Sequence, residues 1–480
     1  MDQVLVVLPP SPPSSLFRSV PQGRHLERLL RRAAAHGGTY ATTRLANGRG
    51  TAVTAAVFER KSTFADLTWA RQVVGELGRE GARKACALAL GLDDAVRAAA
   101  LEAVVAAADA AAFPLPVFKR ERKEPPRLAS LTLVGGPRLD LGALRAASLG
   151  NNIARWFTAL PPNVLTAAAY RDAAGRLVRR WPISAEFLGE RELAKLGAGA
   201  FLAVAQGNAT RDAGLLRLRY RPNGARARPE LALVGKGILF DTGGTNLKPF
   251  KDMLDMHLDM QGSAVALGTL AALAELEAPY AVDAWLALSE NRISPTAYKP
   301  QDVVRAANGV SIQVIHTDAE GRMALADALA LAAREKPELI IDYATLTGAC
   351  IYALTERYSG VFTNRAAAHD IVRDAGAASG ERVWTFPLDE DFDEPLKSDI
   401  ADVKQCHDDG RGDHILAARF LSRFVPHEIP WVHVDLSAAQ HKGGLAHVPT
   451  EITGFGVRFT LALLRERSAG PADLAKKLQT

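Results

Sequence analysis

The sequence predicts an α/β protein in two parts. A smaller N-terminal α/β domain covers residues 1–136, a connecting helix covers 137–160, and a larger α/β/α domain with a central mixed sheet covers 161–480. Three observations predict this. Short apolar runs of strand length alternate along the chain with longer segments whose apolar residues recur at helical spacing. Prolines mark two joints, Pro125-Pro126 and Pro161-Pro162. The chain has 480 residues, enough for two or three domains, and its 48% hydrophobic and 23% charged residues are ordinary for a folded, water-soluble protein.

In the first part, Val4–Leu8, Thr51–Phe58, Ala85–Leu90 and Leu131–Val134 read as strands. His25–Ala35, Asp66–Arg79 and Asp93–Ala112 read as helices. There is no phosphate loop and no glycine-rich dinucleotide fingerprint, so this part is expected to be non-catalytic. It is basic, with 19 Lys and Arg against 12 Asp and Glu, while the whole chain carries +5. Arg28, Arg31 and Arg32 share one helix, and Lys119-Arg120-Glu121-Arg122-Lys123 forms a second cluster. No aromatic residues interleave with these charges, which favours solvated faces over a nucleic-acid surface. Nucleic-acid binding through this part is the minor alternative.

Leu141–Leu160 carries apolar residues at helical spacing and stops at Pro161-Pro162-Asn163. Beyond it, Arg180–Leu188, Leu215–Tyr220, Leu231–Val234, Tyr280–Ser289, Ser311–Ile315, Leu339–Asp342 and Trp431–Asp435 are expected strands. Ala167–Val178, Glu190–Leu196, Ser263–Glu277, Met323–Lys336 and Ile415–Phe424 are the expected helices between them. The first ten residues, MDQVLVVLPP, have no basic lead, and their apolar run is too short for a signal peptide. No apolar run approaches the ~18–20 residues of a membrane span. Three scattered cysteines fit a reducing compartment. A cytoplasmic location without membrane contact is the expectation.

The chemistry concentrates in two stretches: GKGILFDTGGTNLKPFKDMLDMHLDMQG, from Gly235 to Gly262, and HTDAEGR, from His316 to Arg322. Lys236 lies between glycines, Asp241 precedes Gly243-Gly244, and Lys248 sits in an LKP turn. Asp255 and Asp259 are four residues apart, expected on one helical face, with Asp255 a surface or capping residue. Asp318, Glu320 and Arg322 alternate with small residues. In an extended backbone that spacing puts all three on one face, ahead of the helix starting at Met323. Asp241, Asp259, Asp318 and Glu320 would repel one another if they met without cations. Two divalent cations, about +4 in total, would balance them. Hard oxygen donors point to Mn, Mg or Zn, and a neutral lysine amine could join them. A second lysine and an arginine would then remain to stabilise an oxyanion. The reaction class implied is an activated water attacking a carbonyl. There is no HExxH and no GxSxG, and Cys406-His407-Asp408-Asp409 with His414 fits no zinc spacing.

These motifs, GKG…FD-x-GG…LKP…LDM-x-G and above all TDAEGR, resemble the leucine aminopeptidase (cytosol aminopeptidase) family of dinuclear metallopeptidases. The resemblance covers Asn151 to Leu464. It implies an aminopeptidase that takes leucine or another apolar residue from the N-terminus of peptides with two divalent metal ions per subunit, Mn or Zn, with Mg or Co also conceivable. It implies that Lys236 and Asp259 bind one metal, that Asp318 binds the other, and that Asp241 and Glu320 bridge both. Lys248 would polarise the scissile carbonyl and Arg322 would hold a bicarbonate acting as general base. Met256, Thr345 and Gly348 would line the pocket for the first side chain, and the subunits would form a homohexamer. A dipeptidase or cysteinylglycine hydrolase is the alternative on the same site. Two departures stand out. His316 replaces the family's asparagine, and the Cys406–His414 loop replaces a glycine-rich sequence.

Overall fold

The computed structural model describes residues 2–121, 127–465 and 470–479. Arg122, Lys123 and Pro125-Pro126 lie outside the described residues. The chain divides into two compact units: Met1–Ser148 with Lys442–Thr453, and Leu149–His441 with Gly454–Thr480. Nothing in the sequence pattern pointed to the return of 442–453 to the first unit. The helix Leu141–Thr158 carries the chain from the first unit into the second.

The first unit holds one sheet of β1 (Gln3–Leu8), β2 (Tyr40–Arg44), β3 (Ala52–Val57), β4 (Lys84–Ala89) and β5 (Ser130–Val134). Its order is β2-β3-β1-β4-β5, parallel except for the β2 edge. β2 reads YATTR and has no buried residue, so no apolar alternation announced it. The helices Thr63–Arg79 and Asp94–Ala112 are capped by Ser62 and Asp93, whose side chains accept from the amides of Ala65 and Val96. They bury Leu67, Val73, Leu101 and Val104 against Leu5, Val7 and Ala56 of the sheet.

The second unit is built on eight strands: β6 (Ile183–Gly189), β7 (Gly214–Tyr220), β8 (Leu231–Asp241), β9 (Val282–Asn291), β12 (Leu339–Ala344), β13 (Ser359–Thr363), β14 (Val383–Thr385) and β16 (Trp431–Asp435). A small separate sheet uses β10 (Val303–Arg305), β11 (Ser311–Gln313) and β15 (Val403–Lys404). The large sheet runs β14-β13-β16-β12-β8-β9-β7-β6. Its centre, β16-β12-β8-β9, is parallel, and antiparallel pairs flank it on both sides. This is the mixed sheet of an α/β/α domain. Ala232, Val234 and Ile238 of β8 share a core with Met323, Leu325 and Leu329 of the helix Glu320–Arg334. The helix Gln261–Glu275 packs on β8, β9 and β12 and is buried from Gln261 to Ala274. A parallel sheet covered on both faces positions side chains at the carboxyl ends of its strands, where sites of α/β proteins form.

β8 is longer than the apolar run Leu231–Val234 because the glycines after it do not end the strand. Gly235 stands where a Cβ would come 2.5 Å from Ser263 Cα, so the glycine admits the start of the helix Gln261–Glu275. A strand reading that stops at glycine misses this close approach.

Candidate metal centre

Lys236 and Asp241 both lie on β8, five residues apart. Simple alternation would send them to opposite faces of the sheet. The register between β8 and β9 passes from Ile238↔Ser289 to Asp241↔Asn291, so β8 carries one extra residue there. That bulge reverses the alternation and turns both side chains to one side. The chain then doubles back through Gly243, at φ +84°, whose amide donates to Asp241 Oδ1 at 2.8 Å. The return places Lys248 Nζ 3.0 Å from Asp241 Oδ2 and 2.5 Å from Asp318 Oδ1.

Two local expectations are corrected. Asp255 and Asp259 do not share a helical face, because they flank the 3-10 turn Met256–Leu258 and the helix starts only at Gln261. Asp255 is exposed and Asp259 is buried. Likewise, Asp318, Glu320 and Arg322 are not extended. Glu320 is the first residue of the helix Glu320–Arg334, so Arg322 is rotated roughly 200° from it about the axis. Arg322 therefore leaves the carboxylates. Its Nη2 meets Asp413 Oδ2 at 2.7 Å and its Nη1 donates to Gln405 O at 3.3 Å. A carboxylate of the chain thus stands at Nη2 of this guanidinium, while its buried Nε has no hydrogen-bond partner.

Lys236 Nζ lies 2.7 Å from Asp259 Oδ1, 3.0 Å from Glu320 Oε1 and 2.9 Å from Thr345 O. Gly321 makes room for it, because a Cβ there would sit 2.5 Å from Lys236 Cε. Asp241, Asp259 and Glu320 each offer an oxygen within 4.8 Å of the other two, and among the described residues they form the group suited to a metal ion. Four buried or half-buried carboxylates face two ammonium groups. The imbalance is visible in their acidities. Burial, reinforced by Glu320, pushes Asp241 up to about 7 despite Lys248. Burial pushes Asp259 up to about 8, with Lys236 opposing and Glu320 adding to it. Burial and Glu320 also raise Asp318. Burial works against ionised Glu320, but Lys236 and Lys248 reverse this and lower it. Burial would depress both lysines, and the surrounding carboxylates raise them instead. Asp259 Oδ2 is buried without a hydrogen-bond partner. An orphaned oxygen, excess negative charge and all-oxygen donors beside an amine fit divalent cations such as Mn or Zn.

The site lines a cavity of about 590 Å³ that takes in Lys236, Asp241, Lys248, Asp259, Asp318 and Glu320, and also Met256, Thr345 and Gly348. Arg322 is not among its lining residues. A Cβ on Gly348 would meet nothing nearer than Tyr352 at 4.0 Å, so the cavity is open there. Thr345 also donates from Oγ1 to Asp259 Oδ1 at 2.8 Å.

Two supporting residues were not read from the sequence. Asn291, fully buried at the end of β9, donates to Asp241 Oδ1 at 2.8 Å and to Thr317 O at 3.0 Å. Asp435, at the end of β16, accepts from Thr347 Oγ1 at 2.7 Å and from Leu346 N at 3.2 Å, fixing the turn that carries Thr345. A polar residue closing an apolar strand was the available signal for both. His316 accepts from Asp318 N at 3.3 Å. In the Cys406–His414 loop, His407 Nδ1 lies 2.9 Å from Asp409 Oδ1, and Arg411 also holds Asp409.

Known proteins match this chain closely. The pattern of the cytosol aminopeptidase family's catalytic domain fits residues 152–461. A probable cytosol aminopeptidase of Syntrophotalea carbinolica is 41% identical over 360 residues, which is 73% of this chain and 71% of that one. Another, of Parasynechococcus marenigrum, is 41% identical over 369 residues, 75% of each chain. Among solved structures, a mutant of tomato leucine aminopeptidase superposes with a TM-score of 0.83 at 27% identity, covering 97% of this chain and 94% of that one. The bottromycin maturation enzyme BotP, in complex with Mn, does so with 0.82 at 29% identity, covering 97% and 99%. With the catalytic-domain pattern over more than half of its length and relatives well above 30% identity across it, the chain belongs to the cytosol aminopeptidase family and is an aminopeptidase, a hydrolase of peptides.

Proposed function

We propose that this aminopeptidase is metal-dependent, holds two divalent cations and prefers leucine or another apolar residue at the substrate N-terminus. The observation that supports it most is the buried excess of carboxylate over ammonium around Asp241, Asp259, Asp318 and Glu320. Lys236 and Asp259 would hold one cation, Asp318 the other, and Asp241 and Glu320 both. When bound, the cations supply Lewis acidity, bringing a water's pKa toward neutrality and polarising the scissile carbonyl. Manganese suits hard oxygen donors, and zinc is the second choice.

The chain's own groups do the rest. Lys236 serves as a ligand only as a neutral amine, so cation binding displaces its proton. Lys248 would keep its charge and donate to the carbonyl oxygen as negative charge develops on it, a role supported by its ammonium lying beside Asp241 and Asp318. Asn291 orients Asp241 from behind. Met256, Ile351, Leu436 and Ala439 give the cavity an apolar wall for the first side chain, next to the open space at Gly348.

The test is removal of metal with a chelator, reloading with Mn, Zn, Co or Mg, and rates on leucyl, lysyl and glutamyl anilides, with a metal count per chain. Reversible loss of activity, two metals per chain and fastest cleavage of the leucyl substrate are expected. Absence of leucyl anilide cleavage with every metal would refute the reading. A dipeptide panel including cysteinylglycine separates the dipeptidase alternative, and sedimentation tests the homohexamer expected of a cytoplasmic member.

A further inference from the structure

We propose that Asp413 is the built-in anion of Arg322, so that this enzyme neither needs nor binds free bicarbonate at that guanidinium. Arg322 lies two residues beyond Glu320, and its side chain is 2% exposed. A guanidinium buried to that degree requires a counter-charge, and a neutral partner alone does not replace it. The structure gives Nη1 and Nη2 partners from one segment, Gln405 O and the carboxylate of Asp413, and leaves the buried Nε without one. The carboxylate sits at Nη2 with the short distance of a charge-assisted bond, 2.7 Å.

Asp413 is held there from both sides. It is the first residue of the helix Asp413–Ser422, where the exposed amides of the first turn favour a negative group. Gly412 before it takes φ +64°, which turns the chain into that helix. On the other side, Gln405 fastens the segment to the metal loop. Its Nε2 donates to Ala319 O at 2.9 Å, and its Oε1 accepts from the amides of Ile315 and His316 at 3.1 Å each. The stretches 315–322 and 405–413 are thus stitched together by hydrogen bonds from the Gln405 side chain to backbone, and the Arg322–Asp413 pair closes the seam.

Bicarbonate and the Asp413 carboxylate are both planar, singly charged oxygen acceptors. Two such anions on one buried guanidinium would repel each other, so the tethered one disfavours the free one even at the unpartnered Nε. Its advantage is that a group already in place binds without the entropy cost of capturing a solute. Asp413 acts through Arg322 and is a positioning residue. It neutralises the arginine beside the helix start that carries Glu320.

The test has two arms, and only the second rests on the two-metal peptidase reading. In the first, sodium bicarbonate and sodium formate are titrated calorimetrically into wild type, Asp413→Ala and Asp413→Asn as purified, with no metal added. Wild type is expected to take up neither anion, and Asp413→Ala to bind both. Wild-type binding as tight as that of Asp413→Ala overturns the proposal, and so does an Asp413→Ala protein that binds neither. In the second arm, hydrolysis of leucyl anilide is followed in CO2-free buffer with and without added bicarbonate. The wild-type rate is expected to stay within about twofold, while Asp413→Ala falls at least about tenfold and recovers when bicarbonate or formate is added. A wild-type rate that climbs severalfold with bicarbonate overturns the proposal. Asp413→Asn removes the charge at constant size and keeps the test decisive if the alanine variant does not fold. If no protein cleaves the substrate, the peptidase reading fails while the calorimetric arm still decides the anion.

Discussion

The two ends of strand β9 carry two different clusters of buried charge. Near its start, fully buried Asp283 accepts from Arg217 Nε and Nη2 at 2.9 and 2.6 Å and lies 2.7 Å from Arg221 Nη2. Glu335 adds a second acid, 2.8 Å from Arg217 Nη2. Two arginines face two carboxylates. At the other end, Asn291 touches a cluster in which four carboxylates face two lysines. Burial is common to both, so burial does not distinguish a working site from a structural one. Charge balance does. The Asp283 cluster is complete within the chain. The Asp241 cluster has twice as many carboxylates as lysines, Asp241 and Asp259 are raised toward neutral pH, and the proposed cations would supply the missing charge.

The largest expected effects would break this comparison if they came out reversed. Glu320→Gln should lower kcat/KM on the order of 10³-fold, as loss of a central charge at a reaction centre does, with a smaller loss of folding stability than Asp283→Asn because three carboxylates remain for the two lysines. Asp283→Asn should do the opposite. It takes the shared carboxylate from two arginines, leaving Arg217 only Glu335 and Arg221 no acid, and urea unfolding should show a loss of about 3–5 kcal/mol, while kcat/KM per folded molecule stays within about twofold. If Asp283→Asn instead silenced the enzyme and left stability intact, charge balance would not be what separates the two clusters.

A smaller effect sharpens the comparison on the shared strand. Asn291→Ala removes the donor that orients Asp241 but leaves the donor set itself intact. It should cost about 10–100-fold in metal affinity, read by competition with a chromogenic chelator, with activity recovering at high metal concentration. Activity that stays low at saturating metal would place Asn291 in the reaction itself and not behind Asp241.

Much of the site was legible because charge among glycines is costly and therefore informative. Lys236, Asp241, Lys248, Asp259, Asp318 and Glu320 all converge on one cavity, as their residue types and neighbours implied. The geometry between them was less legible. Alternation along β8 gives the wrong face for either Lys236 or Asp241, and only the extra residue against β9 repairs it, which no local pattern displays. Arg322 follows the acids at a spacing that suits a strand as well as a helix start. The helix begins at Glu320, and its rotation takes the arginine to Asp413, a partner 91 positions away. Asn291 and Asp435 gain meaning only from what their strand ends face. In the fold, the central strands announced themselves as long apolar runs. The edges β2 and β14, which bury little, did not, and neither did β13, which is buried throughout but reads only SGVFT.

The smallest predicted effect is the pH dependence of the chelated protein, and its sign follows from the same imbalance. In the unfolded chain Asp241 and Asp259 titrate near their ordinary value of 3.8, whereas in the fold they are raised to about 7 and about 8. The folded protein therefore keeps protons that the unfolded chain has released, and their contribution is whole below pH ~4 and is lost as pH rises through ~8. Glu320 has the opposite sign, being lowered, but its change lies below this window. The raised lysines stay charged throughout it. The Tm of chelated protein should therefore fall by roughly 2–6 °C between pH 5 and 8. Saturating Mn should reverse the trend, because cations bind the deprotonated carboxylates and gain affinity as pH rises. The gap between loaded and chelated Tm should widen steadily over that range. A chelated protein whose Tm is flat or rises from pH 5 to 8 would mean that two lysines suffice to hold four ionised carboxylates, and that the cluster at the end of β9 is as self-contained as the one at its start.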